Sequence, residues 1–517
     1  MKTINPLMDM VDDVKPKIKL PKNDRLISEF VKDVSVELKS KNMLFYRTDS
    51  KEIVEVQKIR HNKANDKFFV GFECINPDKF ITILEKYIVP GYYVYNKDGD
   101  CTFISKSINS QLAKITLESS EFRKELCPID RIFTVPIPII HNGCLTFPKK
   151  GYDARFNSWM NLNAPSIDEN MSIEEAKQII DKIYEEFCFK SEQDKINAIA
   201  GLITPALRGL YSDFNIRTPI FFYIANRERC GKDYCAGITG IVYEGINLEE
   251  PAMCDGQSNN NSEEFRKKIL SAFIAGRKRF HSANNKGFVN VASFEAVTTS
   301  RFHSDRMLGK NELLTFSNEI DFSMSGNMGI TYSPDLGNRC RFIRFFLEQE
   351  DANAREFKNP DLHGWILENR EKILSAIFTL VKDWFDKDMK KGTLFFASFP
   401  EWAKICGGIM ENAGYGNPCV PDNEMTFGGD EETTEMKALF ELCHANFGEK
   451  YVTVGEIRCL AMTNELFQDM LQKTDNVVRF GLKITKFTGR ILSDIKLVAK
   501  TKWDKGSNRQ VRFMKVA

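Results

Sequence analysis

The stretch Pro219-Ile-Phe-Phe-Tyr-Ile-Ala225, followed by Asn226-Arg-Glu-Arg-Cys-Gly231-Lys232-Asp233, decides the expected fold. The apolar run predicts a buried strand. The residues after it have the spacing of the phosphate-binding loop G-x-x-x-x-G-K-[ST], in which backbone N–H groups at a helix N-terminus and a lysine hold phosphate oxygens. We therefore predict a strand–loop–helix unit. The expected nucleotide-binding residues are Asn226, Arg229, Cys230, Gly231, Lys232 and Asp233.

Two residues depart from the loop pattern. Asn226 replaces the first glycine, which we expect to be tolerated because Asn adopts positive φ more readily than most residues. Asp233 replaces the Ser or Thr whose hydroxyl normally ligates Mg²⁺. A Gly-Lys pair after an apolar run also arises by coincidence, and the strand–loop–helix context favours the phosphate site.

The composition excludes several classes of protein. The chain has 517 residues with 42% hydrophobic residues and a net charge of +1, which argues against extensive disorder and predicts no partner from global charge. No apolar run approaches the ~18 residues of a membrane span. The start lacks the apolar region of a signal peptide. The 13 Cys show no zinc spacing, so we expect a large soluble cytoplasmic protein.

The pattern of apolar residues, turns and charges predicts a multidomain α/β protein. Residues 166–215 read as a helical lead-in, beginning at a capping box at Ser172. Residues 417–435 are acidic and rich in turn-forming residues, which is typical of a linker. The expected domains are 1–26, a flexible arm; 27–165, mostly strands, of unknown role; 166–215, the lead-in or collar; 216–400, the nucleotide-binding core; 401–431, a linker; and 432–517, a winged helix.

The C-terminal end is basic, since residues 471–517 hold 12 Lys and Arg against 3 Asp, a local charge of +9. A helix over 475–487 sorts into an apolar face and a basic face, and β-stretches at 490–498 and 510–516 follow it. A helix in the major groove beside a basic wing is the expected arrangement. The expected DNA contacts are Arg479, Lys483, Lys486 and Lys505. A solvated charged surface, or a winged helix that binds protein, is the alternative.

A series of short motifs runs in order from about residue 130 to the C-terminus. Besides the Gly231-Lys232 loop, it comprises Val135-Pro-Ile-Pro, Phe147-Pro-Lys-Lys-Gly-Tyr-Asp153, Leu202-Ile-Thr-Pro-Ala-Leu-Arg208, Glu263-Glu-Phe-Arg-Lys267, Ser304-Asp-Arg-Met-Leu-Gly309, Ser325-Gly-Asn327, Asp335-Leu-Gly-Asn-Arg339, Asn359-Pro-Asp-Leu362 and Trp384. In this order they resemble the superfamily-3-like helicase ATPases of phage and plasmid primase–helicases. The first ~130 residues lie outside this resemblance.

The resemblance implies an AAA+-type P-loop core that binds ATP and Mg²⁺ and assembles as a homo-oligomeric ring, usually a hexamer. It implies single-stranded DNA in the channel, duplex DNA at the winged helix, and a primase or polymerase of the same mobile element or virus as a partner. Lys232 resembles the phosphate lysine, Asn327 the sensor-1 residue, and Arg339 the arginine finger. Arg341 and Arg306 are the substitutes for the finger. A surface salt bridge for Arg339 and a turn role for Asn327 remain the alternatives.

A hairpin before sensor 1 projects a basic residue into the channel in that family. The turn at Gly309-Lys310-Asn311 makes Lys310 the candidate here, and an ordinary exposed lysine is the alternative.

The family's Mg²⁺ carboxylate is missing, because Ala283 stands where the apolar strand should end in Asp. We expect Asp233 to hold the metal instead, with Asn284 or Asn285 helping to place water; a decayed site is the alternative. The expected function is ATP-driven DNA unwinding or replication initiation by a ring. The alternative is a nucleotide-binding DNA-binding initiator or loader with little or no hydrolysis.

Overall fold

A computed structural model describes residues 15–22, 24–60, 68–254, 261–306, 313–327, 329–348, 357–422, 431–464, 466–467, 471, 477–489, 491–500 and 510–516. The chain is a mixed α/β protein with several sheets, as expected from the sequence. It divides into two compact units, Met1–Ile330 with Asn338–Asn423, and Thr331–Gly337 with Glu424–Ala517. No helix in the described part of the chain is long and apolar enough to cross a membrane.

The strands are β1 (Lys17–Lys19), β2 (Phe45–Arg47), β3 (Glu52–Arg60), β4 (Phe68–Cys74), β5 (Val89–Tyr95), β6 (Cys101–Ser105), β7 (Cys127–Ile129), β8 (Arg131–Phe133), β9 (Ile139–His141), β10 (Cys144–Thr146), β11 (Gly151–Asp153), β12 (Ser158–Met160), β13 (Ile220–Ala225), β14 (Arg279–Asn285), β15 (Phe288–Val289), β16 (Phe302–Arg306), β17 (Leu313–Ser317), β18 (Asp321–Asn327), β19 (Thr331–Tyr332), β20 (Cys340–Phe345), β21 (Val452–Thr453), β22 (Ile491–Leu492), β23 (Ile495–Ala499) and β24 (Gln510–Lys515).

The helices are α1 (Ile27–Lys41), α2 (Pro77–Tyr87), α3 (Ser110–Glu118), α4 (Ser120–Glu125), α5 (Ile173–Tyr184), α6 (Glu192–Ile203), α7 (Lys232–Glu244), α8 (Asn261–Ile274), α9 (Ala292–Thr299), α10 (Pro334–Gly337), α11 (Leu362–Glu368), α12 (Arg370–Asp386), α13 (Pro400–Asn412), α14 (Glu431–Phe447), α15 (Val454–Thr463) and α16 (Val477–Lys486). A 3₁₀ turn, Thr204–Arg208, follows α6.

The N-terminal region differs from its sequence prediction in two respects. Residues 17–19 form β1, which pairs in parallel with β5, so this part of the predicted flexible arm belongs to the fold. The region predicted to be mostly strands contains four helices, α1–α4, together with the sheets β1-β5-β6 and β4-β3-β2-β7. Helices such as α1 are hard to detect because polar residues interrupt their apolar faces: Phe30, Val31 and Val34 are buried between charged neighbours.

A parallel four-stranded sheet forms the centre of the first unit. Its strand order is β14-β18-β13-β20, so β13 lies between β18 and β20. Ala225 pairs with both Asn327 and Phe345, and Asn285 pairs with Gly326. The carboxyl ends of all four strands therefore meet at one edge, which is where open α/β sheets bind ligands.

Helices from the predicted collar and core share one hydrophobic core. Ser172 accepts a hydrogen bond from the Glu175 N–H at 3.1 Å, which confirms the predicted start of α5. Helix α8 includes Ser262. Phe265, Ile269 and Phe273 of this helix are buried.

The predicted linker over 401–431 is wrong in its first part. Residues 400–412 form α13, and the indole of Trp402 is fully buried and donates to the Thr204 hydroxyl at 3.0 Å. Asn417 and Cys419 are also buried, so the packed unit extends beyond the helix. The acidic, turn-rich composition of 417–435 therefore does not extend linker character back to residue 401.

In the second unit, α16 is followed by β22, β23 and β24, which is the order predicted for the helix over 475–487 and the two β-stretches. Thr453 and Glu456 form a capping box at the start of α15. Helix α16 buries Phe480 and Ile484, and Phe487, the residue directly after the helix, is also buried. Strands β21, β24, β23 and β22 form one sheet in that order.

Candidate phosphate-binding site

The loop between β13 and α7 has the predicted strand–loop–helix form. Gly231 is the N-cap of α7 with a φ of 87°, and Arg229 also has a positive φ, of 61°. Only glycine adopts such a φ without a steric cost, which explains Gly231 at this position. The first turn of α7 therefore presents its N–H groups at the carboxyl edge of the sheet.

Asn226 has a different role from the one predicted, because it is not among the residues with positive φ. Its side-chain amide donates to the Leu347 carbonyl at 3.1 Å, and its Oδ1 accepts from the Leu347 N–H at 3.0 Å. The buried Cys230 thiol also contacts Asn226 Oδ1, at 3.4 Å. Asn226 thus fixes the start of the loop to the chain beyond β20.

Lys232 occupies the centre of a hydrogen-bonded group at the edge of the sheet. It is 8% exposed, and its Nζ donates to Asp233 Oδ2 at 2.7 Å and to Asn284 Oδ1 at 3.1 Å. The Ser325 hydroxyl donates to Asp233 Oδ1 and accepts from the Asn284 N–H at 3.0 Å. The loop, β14 and β18 therefore converge on one ammonium group, and Ser325 is a member that the sequence did not single out.

A β-bulge places Asn284 in this group. The register of β14 against β18 shifts between Ser282 and Asn285, and Asn284 has a φ of 58°. Bulges redirect a side chain and are common beside active sites. Ala283, the position aligned with the missing acid, is buried, whereas Asn284 contacts Lys232. Asn285 Oδ1 accepts from the Met253 N–H at 2.8 Å and its Nδ2 donates to the Ser282 carbonyl at 3.0 Å, so it is held within the fold.

A buried histidine and arginine lie on β14 behind the loop. His281 Nδ1 is 2.8 Å from the Ser323 hydroxyl, and burial, with Arg279 and Lys232 nearby, lowers the pKa of His281 well below its ordinary value. His281 is therefore neutral at pH 7. Arg279 donates to the Ala236 carbonyl at 2.7 Å and ties β14 to α7. Lys232, in contrast, has its ammonium in the hydrogen-bonded group at the carboxyl edge of the sheet.

A stacked aromatic pair lies beside the first turn of α7. The rings of Tyr234 and His363 are 3.6 Å apart and inclined by 6°, and the His363 N–H donates to the Tyr234 hydroxyl at 2.9 Å. The sequence contains no signal for this pair, because α11 and α7 are far apart along the chain.

The structure places the arginine candidates at separate locations. Arg339 precedes β20, at the amino edge of the sheet, and its guanidinium donates to the Glu295 carbonyl. Arg341 is buried, stacks on Phe396 at 3.7 Å and donates to the Pro418 carbonyl at 3.3 Å, so it fits poorly as a substitute finger. Arg306 is exposed at the end of β16. These contacts of Arg339 and Arg341 lie away from the Lys232 group of the same chain.

The other predicted residues are described in part. Asn327 ends β18 and pairs with Ala225, the residue that precedes the loop, and its side chain lies outside the described part of the structure. The predicted hairpin exists as β16 and β17, with Arg306 opposite Leu313. Lys310, expected at its tip, lies outside the described residues, as does Lys505.

The sequence predicts three basic residues on the α16 helix. Lys483 has its Nζ 4.8 Å from the centre of the Phe467 ring. The helix includes Arg479 and Lys486, whose side chains lie outside the described part of the structure.

The comparisons with known proteins give little beyond this geometry. No family model matches the chain, and no curated protein matches it. Among solved structures, the chain is similar to an apo form of the C-terminal region of NrS-1. The identity is 11% over 93% of this chain and 98% of that chain, with a TM-score of 0.38. A similarity at this level supports no statement about function.

Proposed function

We propose that the chain is an ATP-dependent motor related to superfamily-3-like, AAA+-type helicases, which unwinds DNA or initiates its replication. One observation carries the proposal: Lys232, capped by Gly231, lies at the carboxyl edge of a parallel sheet together with polar groups from β14 and β18. Backbone N–H groups of the first turn of α7 suit the phosphates nearer the nucleoside, and Lys232 suits the outer ones.

The residues present suit a Mg²⁺ ion bound together with phosphate. Asp233 offers a carboxylate and Asn284 an amide oxygen, which are ligands that Mg²⁺ accepts alongside substrate phosphates. A bound Mg²⁺ supplies charge neutralisation of the phosphates. Ser325 holds the Asp233 carboxylate, and Lys232 is available to exchange its Asn284 contact for a phosphate oxygen.

The position of Arg339 favours action on a neighbouring subunit. β13 spans roughly 17 Å from its amino to its carboxyl end, and Arg339 lies at the amino end of the adjacent strand. Its guanidinium is thus separated from its own phosphate loop by the length of the sheet. A finger that completes the site of the next subunit in a homo-oligomeric ring, a hexamer in that family, fits this placement.

Two further features support DNA as the partner. The hairpin β16–β17 precedes β18, as does the channel hairpin of the resembled family. In the second unit, the order α14, β21, α15, α16, β22, β23, β24 fits a winged helix, with α16 as the helix that enters the groove. A primase or polymerase of the same element remains the proposed protein partner.

The alternative function is a nucleotide-dependent initiator or loader with little or no turnover. It is favoured by Ala283, which leaves the end of β14 without the usual acid, and by the ion pair between Asp233 and Lys232. In this alternative, nucleotide binding replaces the ion pair and changes the loop, while hydrolysis contributes nothing.

The test combines three measurements on the full chain: DNA-stimulated ATPase activity, unwinding of a forked duplex, and the mass of the assembly in solution with Mg²⁺ and ATP. The motor predicts turnover stimulated by DNA, unwinding and a ring. Nucleotide binding without turnover or unwinding supports the initiator. Absence of nucleotide binding contradicts both.

A further inference from the structure

The N-terminal sheet β1-β5-β6 has one face on which aromatic rings are exposed to solvent. The strand registers place Lys17 and Lys19 of β1, Tyr93 and Tyr95 of β5, and Phe103 of β6 on this face. The other face contributes to a hydrophobic core that includes Ile18 and Ile88. We name the face formed by Lys17, Lys19, Tyr93, Tyr95 and Phe103 the aromatic face.

Two of the three rings on the aromatic face are in contact with each other. Tyr93 and Phe103 meet edge to face, with their centres 5.0 Å apart. Phe103 extends across Gly91, where a Cβ atom would lie 2.7 Å from its ring. Tyr95 is 70% exposed and Tyr93 45% exposed, so their rings meet solvent although they lie on a regular sheet.

Lysines border these rings along the edge strand. Lys17 and Lys19 alternate with Ile18 along β1, and this period of two brings the two lysines to the same side. Lys17 Nζ lies 5.5 Å from the centre of the Phe103 ring. Lys19 forms an ion pair with Asp24, and Asp98 and Asp100 lie in the turn between β5 and β6.

This combination matches the chemistry of single-stranded nucleic acid. Exposed rings on a sheet stack unpaired bases, and a basic border follows the phosphates. Lysines on an edge strand also prevent strand pairing between molecules. Protection of an edge explains the lysines, but it leaves the two exposed tyrosines and the phenylalanine on the aromatic face unexplained.

We propose that the aromatic face binds single-stranded nucleic acid by stacking bases on Tyr95, Tyr93 and Phe103, with Lys17 contacting the backbone. This role is independent of the phosphate loop and assigns a function to the region that no sequence motif explained. Alternate residues on β5 lie about 7 Å apart, which leaves space for one base on each tyrosine.

The test measures the binding of fluorescein-labelled dT20 to the full chain without nucleotide. Tyr95→Leu keeps apolar area but removes the ring, and we expect about a ten-fold loss of affinity, while Tyr95→Phe keeps wild-type affinity. Lys17→Gln should lower the slope of log affinity against log salt by about 0.7. Phe395→Ala, which removes another highly exposed ring, is the matched control and should change neither value.

Photo-crosslinking locates the binding, because other parts of the chain are also proposed to contact DNA. A dT20 containing 4-thiothymidine should crosslink to Tyr93, Tyr95 or Phe103, and Lys232→Ala should leave these crosslinks unchanged. The same binding measurement with U20 shows whether the aromatic face binds RNA or DNA more tightly. Unchanged dT20 and U20 affinity in Tyr95→Leu, with all crosslinks elsewhere, overturns the proposal. The proposal is also overturned if the wild type forms an oligomer that neither dT20 nor U20 dissociates, and Tyr95→Leu dissociates that oligomer.

Discussion

At the scale of single residues, Lys232 is the group whose loss should affect nucleotide binding most. Its ammonium is buried and donates to the neighbouring Asp233 and to Asn284. A charged hydrogen bond contributes about 1.5–3 kcal/mol, so Lys232→Ala should weaken ATP binding roughly 10- to 100-fold and abolish turnover. Titration with a fluorescent ATP analogue measures the change. Lys267→Ala, on the exposed surface of α8, is the control, and equal affinity in both variants would exclude the loop as a phosphate site.

Substitution of Asp233 distinguishes two interpretations, a relocated metal ligand and a decayed site. The first predicts a loss of Mg²⁺-dependent hydrolysis, and the second predicts a gain in nucleotide affinity. If Asp233 replaces the missing acid of β14, Asp233→Ala should reduce Mg²⁺-dependent hydrolysis by a large factor. Asp233→Thr should then recover activity only together with Ala283→Asp. If the site has decayed, Asp233→Ala removes a charge that repels phosphate, so nucleotide affinity should rise while turnover stays at background. Mg²⁺-ATP affinity and turnover of the three variants decide between them.

Some residues of the candidate site are predictable from the sequence and others are not. Gly231 and Lys232 follow from local spacing, because the loop and the helix start are contiguous in the chain. Ser325 and Asn284 join the group only through the pairing of β14 with β18 and through a bulge, which no spacing encodes. Asn226 belongs to the loop for a reason other than the predicted one, because its amide and not its φ decides its role.

At the scale of elements, α13 shows how the boundary of the packed unit is set. Composition predicts a linker here, yet Trp402 is fully buried, and the centre of its ring lies 6.3 Å from that of Phe221 in the central sheet. Trp402→Ala should therefore destabilise the chain by about 3–5 kcal/mol, as is usual for a large buried ring. Thermal or urea unfolding followed by circular dichroism measures the change. Phe395→Ala, at an exposed position a few residues earlier, should change stability little.

Helix α16 provides the element-scale test of DNA binding. Neutralising Arg479, Lys483 and Lys486 together should lower duplex affinity, and the log–log salt slope should fall by about 0.9 for each phosphate that is no longer neutralised. Lys483 should contribute least, because its ammonium already lies near the Phe467 ring. Lys437→Gln on α14 of the same unit is the control. A duplex affinity and slope equal to those of the wild type would mean that this unit binds protein instead.

At the scale of the whole molecule, long periodic elements are predicted more reliably than the architecture that joins them. The apolar run predicted as a strand over 219–225 matches β13, which spans Ile220–Ala225. The parallel order β14-β18-β13-β20 cannot be deduced from periodicity, since it depends on crossovers between distant segments. The N-terminal region is the least predictable, because its short helices alternate with strands and no motif marks them.

Arg339 tests whether the molecule functions as an assembly. A finger acts on the transition state of a neighbouring site, so Arg339→Ala should keep ATP affinity near the wild-type value and lower turnover about 10³-fold or more. Because Arg339 also donates to the Glu295 carbonyl, Arg339→Lys and a melting curve separate removal of the finger from removal of this hydrogen bond. The lysine variant keeps a donor but lacks the planar fork, and should remain inactive with an unchanged melting temperature.

Mixing the Lys232→Ala and Arg339→Ala variants completes the test, because a shared site needs Lys232 from one subunit and Arg339 from the next. Each variant alone should be inactive. When Lys232→Ala and Arg339→Ala chains assemble together, some interfaces combine an intact lysine with an intact arginine, and part of the turnover should return. The recovered activity should follow the fraction of such interfaces as the mixing ratio changes. If mixed rings form but recover no activity at any ratio, Arg339 does not act across a subunit boundary, and its hydrogen bond to α9 is then its structural role.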